Sequence, residues 1–169
     1  FRDKLELGHS KATTIEIVNE ICQFPKKMEE LMECFIKGPI QVTQRAAWPI
    51  SFVAEKHPEL ILKYYPLFIE LLNQPNKHDA INRNILRAFQ FTSIPEKHQG
   101  RILDVSFRLL NSSDEPIAVK AFSMTVIFNL TKQYPDIIPE LKGSIETLLP
   151  NASSGIKARA NKILKSLQQ

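Results

Sequence analysis

Basic residues recur through this 169-residue chain at almost one interval: Arg45, Arg83, Lys120 and Arg159 stand 38, 37 and 39 residues apart. Cations repeated along one face could bind phosphates or an acidic peptide, because their fields add. They could equally bond to turn carboxylates and carbonyls of neighbouring segments and hold those segments in register. The structural role comes first on this reading and the binding role second. Arg87, Lys157 and Lys162 raise the positive density around the same positions. Trp48, the single Trp, follows Arg45 by one helical turn, with Phe52 one turn further. An aromatic beside cations suits peptide anchoring or base stacking; packing between adjacent helices is the alternative. Arg45, Trp48, Arg83, Arg87, Lys120, Arg159 and Lys162 are therefore the candidate partner-binding residues.

Other chemistry finds little support. His9, His57, His78 and His98 stand singly, none paired at the helical spacing that places two ligands on one face. Cys22 and Cys34, the only cysteines, lie in apolar helical patterns and read as reduced, buried thiols rather than a disulfide scaffold. There is no phosphate-binding loop, no dinucleotide-binding glycine pattern and no Ser-His-Asp constellation. No catalytic residue, metal or cofactor is assigned. The formal charge of +4 is a mild basic excess, compatible with acidic partners but not by itself a nucleic-acid signature.

The elements that must position these residues follow from a second landmark. Phe35, Leu72, Leu110 and Leu149, each closing an apolar helical stretch, are separated by 37, 38 and 39 residues. Two landmarks on one beat make this a repeat chain. Apolar spacing with Pro, Gly and polar punctuation predicts nine helices, at about 10–24, 25–36, 41–56, 58–73, 78–93, 96–111, 115–133, 136–149 and 154–168. Pro66 is expected to kink the fourth, and Ser113-Asp114 to cap the seventh. Ile15, Phe91 and Ile117 are among the residues expected to face inward. No strand survives: Met124-Thr-Val-Ile-Phe is β-branched but lies inside a helical repeat. No apolar run approaches the ~20 residues of a membrane span, so no membrane association and a cytoplasmic location are expected. The chain opens on Phe1 rather than Met, so residues are expected before it.

The stretch Leu109-Leu110, Asp114, Val119-Lys120, Ala121 resembles the HEAT motif, with its leucine pair, turn Asp, Val-Arg/Lys and small residue. The resemblance covers about residues 25–168. Asn84 stands at the small position of the second unit, and neither Arg45 nor Arg159 follows an acidic residue in the Asp114 slot. The resemblance implies an all-α fold, a right-handed α-α superhelix of about four helical-hairpin repeats in one domain spanning 1–169. The half-repeat would be 10–24 and the repeats about 25–57, 58–94, 95–134 and 135–168. It further implies a scaffold binding a macromolecular partner on a concave face, a protein first and nucleic acid as the alternative. HEAT-like DNA glycosylases are the enzymatic version of that alternative, and Trp48 with Glu55 is the pair such an activity would use. Ser153-Ser154 and Asn161 also resemble the signature loop of the fumarase/adenylosuccinate lyase superfamily, with Arg159 where its Lys would stand. The Met and Pro of that signature are absent, and the string coincides with a repeat turn and its basic anchor.

Overall fold

Helix boundaries follow the proline and glycine punctuation of the chain. The computed structural model describes residues 1–75 and 78–168, and among them it contains ten α-helices and no strand. These are α1 (Arg2–Leu7), α2 (Lys11–Gln23), α3 (Met28–Lys37), α4 (Ile40–Lys56), α5 (Tyr65–Asn73), α6 (Asp79–Phe89), α7 (Glu96–Asn111), α8 (Ile117–Leu130), α9 (Ile138–Leu148) and α10 (Ser154–Ser166). Tight 3-10 turns at Pro25–Lys27, Pro58–Tyr64 and Pro135–Ile137 lead into α3, α5 and α9, each opening on a proline. Proline suits a first turn because its missing N–H has no partner there.

The described residues divide into two compact units, Phe1–Ser93 and Ile94–Gln169. In the first, α4 packs against α1, α2, α3 and α6. Phe68 is fully buried, edge-on to Phe35 and to Phe89 at 6.2 Å in each case. Tyr65 stacks on Phe89 at 4.9 Å, and its hydroxyl is hydrogen-bonded to Thr92. Burial pushes the Tyr65 phenol up to about 12. Each buried aromatic of this kind stabilises the unit by roughly 1.5–3 kcal/mol. In the second unit α8 packs on α7, α9 and α10, and Leu110, Met124, Ile127, Leu141, Ile145 and Ile163 form the core. There Gln99 Nε2 donates to the carbonyl of Ile94 (2.8 Å) and to Gln133 Oε1 (2.6 Å), while the Tyr134 hydroxyl donates to Gln99 Oε1 (2.5 Å). The turn before α9 is thereby tied to α7.

The structure departs from the sequence expectations at several places. The tenth helix is α1, too short to carry a periodic pattern. It buries Leu5, and Arg45 Nη1 donates to its last carbonyls, Leu5 O (2.7 Å) and Glu6 O (3.0 Å), groups that a helix end otherwise leaves unpaired. Pro66 does not kink a continuous helix: α5 begins at Tyr65, with Pro66 in its first turn. Ser113 and Asp114 do not cap α8, whose N-cap position is Pro116 with no side-chain hydrogen bond. A residue before proline is disfavoured in helical conformation, so a start at Glu115 is resisted. Ser112 Oγ instead accepts from Asp114 N, and Ser113 Oγ donates to the Asp114 carboxylate. Phe91 and Ile117 were expected inward but are 40% and 54% exposed, Phe91 because α6 ends before it and Ile117 because it opens α8. Ile15 is also exposed, lying off the α2 face that buries Thr14, Ile17, Val18 and Ile21.

Candidate partner-binding residues

In the first unit the predicted residues lie on α4 and α6. Trp48 is half-buried, its ring against His9 (4.9 Å) and edge-on to Phe52 (5.8 Å). Arg87, one turn beyond Arg83, donates from Nη1 to Ser51 Oγ (2.7 Å) and pairs through Nη2 with Glu55 Oε2 (3.0 Å). Its guanidinium lies 4.2 Å from the Phe52 ring centre and 5.6 Å from that of Phe91. Burial works against the Arg87 charge and Glu55 supports it. Ser51 is fully buried. Its hydroxyl proton goes to the Trp48 carbonyl (2.8 Å) or, at longer range, to Asn84 Oδ1 (3.3 Å). Asn84, the departure from a small residue, is buried; its Nδ2 donates to the Ala80 carbonyl (2.8 Å) and its Oδ1 lies 3.3 Å from the Ser51 hydroxyl.

Arg83 behaves differently. Its side chain is exposed and makes no hydrogen bond or ion pair among the described residues. It lines a cleft of about 240 Å³ together with His9, Gln44, Arg45, His78 and Asn84. His9 is held below the usual imidazole value, first by desolvation of its ring and then by the fields of Arg45 and Arg83. His78 Nδ1 accepts the Ala80 N–H at the start of α6 (3.2 Å). Arg45 and Arg83 are thus brought to one site, and Trp48 adjoins it through His9. His9 and His78 were invisible as participants in the sequence, because neither has a partner at helical spacing.

In the second unit Lys120 is half-buried on α8 and lines a groove of about 390 Å³ with Glu115, Ile117, Ser153 and Ile156. Arg159 does not line that groove; its Nη1 donates to Thr125 Oγ1 on α8 (2.7 Å). Lys162 is exposed on α10. Ser153, the start of the lyase-like string, caps α10, its Oγ accepting the Ile156 N–H (3.4 Å). Ser154 and Asn161 are exposed. Every residue of that string with a visible role is accounted for by capping or repeat contact. Of the glycosylase pair, Glu55 is bound by Arg87, while Trp48 lies against His9 and Phe52.

Among the described residues no group of three or more His, Cys, Asp or Glu is placed to hold a metal ion. Among the described residues no helix is long and apolar enough to cross a membrane, and Cys22 and Cys34 are free thiols, Cys34 buried and Cys22 only partly so.

Arg45, Arg87 and Arg159 share one habit: each donates to a group 32 to 40 residues earlier, which is about one repeat back. No curated protein and no solved structure matches the chain. The model of the HEAT repeat domain family matches residues 1–167. Helical hairpins recurring every 37 to 39 residues, with Arg45, Arg87 and Arg159 each bonded about that far back, agree with that match, and the chain belongs to the HEAT repeat domain family.

Proposed function

We propose that this chain is a non-enzymatic interaction module that binds a macromolecular partner, a protein, on the face carried by the second helix of each repeat. HEAT repeats are commonly protein-interaction scaffolds, and the family is generally non-enzymatic. The observation that carries the reading to particular residues is the contrast between tied and untied cations. Arg45, Arg87 and Arg159 direct donors onto the preceding repeat, whereas Arg83 keeps its whole guanidinium for solvent at the mouth of a cleft. The Lys120 and Lys162 side chains likewise make no hydrogen bond among the described residues. A protein is favoured over nucleic acid because Trp48, the aromatic a base would stack on, already packs against His9 and Phe52. A cytoplasmic location accompanies the proposal, supported by the two free thiols.

Affinity capture from an extract of the source cells tests this. The wild-type chain should retain a protein partner, and the Arg83→Glu/Lys120→Glu double variant should lose it. Both should melt within about 2 °C of each other, since surface substitutions away from buried networks change stability by only about 0.5 kcal/mol. Equal capture by both chains would overturn the reading.

A further inference from the structure

We infer that the cleft formed by His9, Arg45, His78 and Arg83 holds a carboxylate side chain of an acidic segment in the protein partner. This rests on the interaction reading above and assigns it a chemistry. The cleft is about 240 Å³, below the roughly 300–1,000 Å³ of a pocket for a drug-sized ligand. It suits one side chain of a longer segment rather than a cofactor.

Its lining is one-sided. Two guanidinium groups, two imidazoles and the amides of Gln44 and Asn84 line it, and among the described residues no carboxylate does. Arg45 commits only Nη1 to the α1 carbonyls, leaving Nε and Nη2 without partners among the described residues. Arg83 leaves all five of its donors. Guanidinium groups match carboxylate geometry with paired N–H donors, which gives direction as well as charge. Because His78 Nδ1 accepts a backbone N–H, the neutral ring carries its proton on Nε2 and offers a further donor. After desolvation of its ring, the charges that depress His9 are Arg45 on α4 and Arg83 on α6, both positive. An arriving carboxylate would supply the opposite charge.

The neighbouring residues favour a single anion over a track of phosphates. Nucleic-acid binding needs successive cations along a backbone with aromatic faces between them. Beside this cleft the next cation, Arg87, is covered by Phe52 and paired with Glu55. Trp48 is packed between His9 and Phe52.

The test uses the purified chain and three fluorescent probes: a peptide alternating Glu and Ser, the same peptide with Gln for Glu, and a DNA duplex. The Glu peptide should bind by anisotropy, the Gln peptide should bind at least roughly tenfold more weakly, and the duplex should bind more weakly than the Glu peptide. Arg83→Ala should weaken the Glu peptide roughly tenfold, Arg83→Lys less, and Lys97→Ala, an exposed position outside the cleft, should leave it unchanged. Proton NMR gives a second readout: saturating Glu peptide should raise the pH at which His9 titrates. Unchanged Glu-peptide affinity in Arg83→Ala, or a His9 titration that peptide does not move, overturns the inference. Tighter duplex binding that Arg83→Ala weakens makes the cleft a phosphate site and also overturns it. If the peptide arms fail while partner capture stays sensitive to Lys120→Glu, the cleft falls and the interaction reading stands; if capture is sensitive to neither substitution, both fall.

Discussion

Two arginines one turn apart on α6 have opposite fates, and the difference is measurable. Arg87 is bound by Ser51 and Glu55 and lies on Phe52, while Arg83 makes no hydrogen bond or ion pair among the described residues. Removing Arg87 leaves the buried Ser51 hydroxyl without its donor and uncovers Phe52. Hydrogen bonds to charged groups contribute about 1.5–3 kcal/mol, and the ion pair with half-exposed Glu55 adds little. Arg87→Ala should therefore cost about 2 kcal/mol in chemical denaturation, and Arg83→Ala less than about 0.5 kcal/mol. Similar costs for both would mean the Arg87 contacts contribute nothing. The sequence marks both residues as basic and helical but cannot rank them, because the deciding groups lie 32 and 36 residues away. Two histidines bear on stability in mild acid. His9 and His98 are both held below the ordinary value of 6.5, His9 by desolvation with Arg45 and Arg83, His98 by burial with Lys97 and Arg101. A depressed imidazole binds fewer protons folded than unfolded just below pH 6.5, so stability rises with pH through that window and is lost as pH falls. Melting temperature should drop from pH 7 to 5.5, and the drop should shrink in the His9→Gln/His98→Gln variant. An equal drop in the variant would assign the acid sensitivity to other groups.

At the scale of an element, glycines separate steric need from simple tolerance. Gly38 ends α3 with φ −69°, a conformation open to any residue. Its constraint is space, since an added Cβ would lie 2.3 Å from the Cys34 carbonyl oxygen and 2.9 Å from Val42 Cγ1. Gly100 sits exposed within α7 with nothing within 4 Å of such a Cβ. Gly38→Ala should destabilise by roughly 2 kcal/mol or more, because backbone must shift to admit it. Gly100→Ala should stabilise by roughly 0.5–1 kcal/mol by restricting the unfolded chain and favouring helix. Thermal melts of the two variants should move in opposite directions, and a shared direction would contradict the packing at the α3–α4 corner. Helices α2 to α10 were legible because apolar spacing and punctuation are local signals. The start of α8 and the placement of Pro66 differ from the sequence expectation because each proline takes a first-turn or N-cap position and restricts the residue before it. Helix α1 was missed because six residues hold too little periodicity, and its last carbonyls are capped from Arg45.

Across the whole molecule, the charge of +4 matters less than where the cations are committed. Three of the candidate arginines, Arg45, Arg87 and Arg159, serve intramolecular contacts about one repeat apart within their own units. What remains for a partner is local to each unit: the cleft at Arg83 in the first, and Lys120 and Lys162 in the second. The loss of partner capture expected for Arg83→Glu/Lys120→Glu belongs to this scale, since it removes charge from both units while leaving the register contacts in place.

The period of 37 to 39 residues, the all-helical class and most helix limits were determined by the sequence alone. The helices rest on signals within a few residues (apolar spacing, the φ restriction of proline, a serine cap), and the period on the recurrence of those signals along the chain. Which basic residue binds its own chain and which faces solvent was decided only by the tertiary structure. The carbonyls of α1, the Ser51 and Thr125 hydroxyls and the Glu55 carboxylate stand about one repeat from their arginines. A shift of a single helical turn, from Arg83 to Arg87, exchanges one set of neighbours for another, and no local pattern records that exchange.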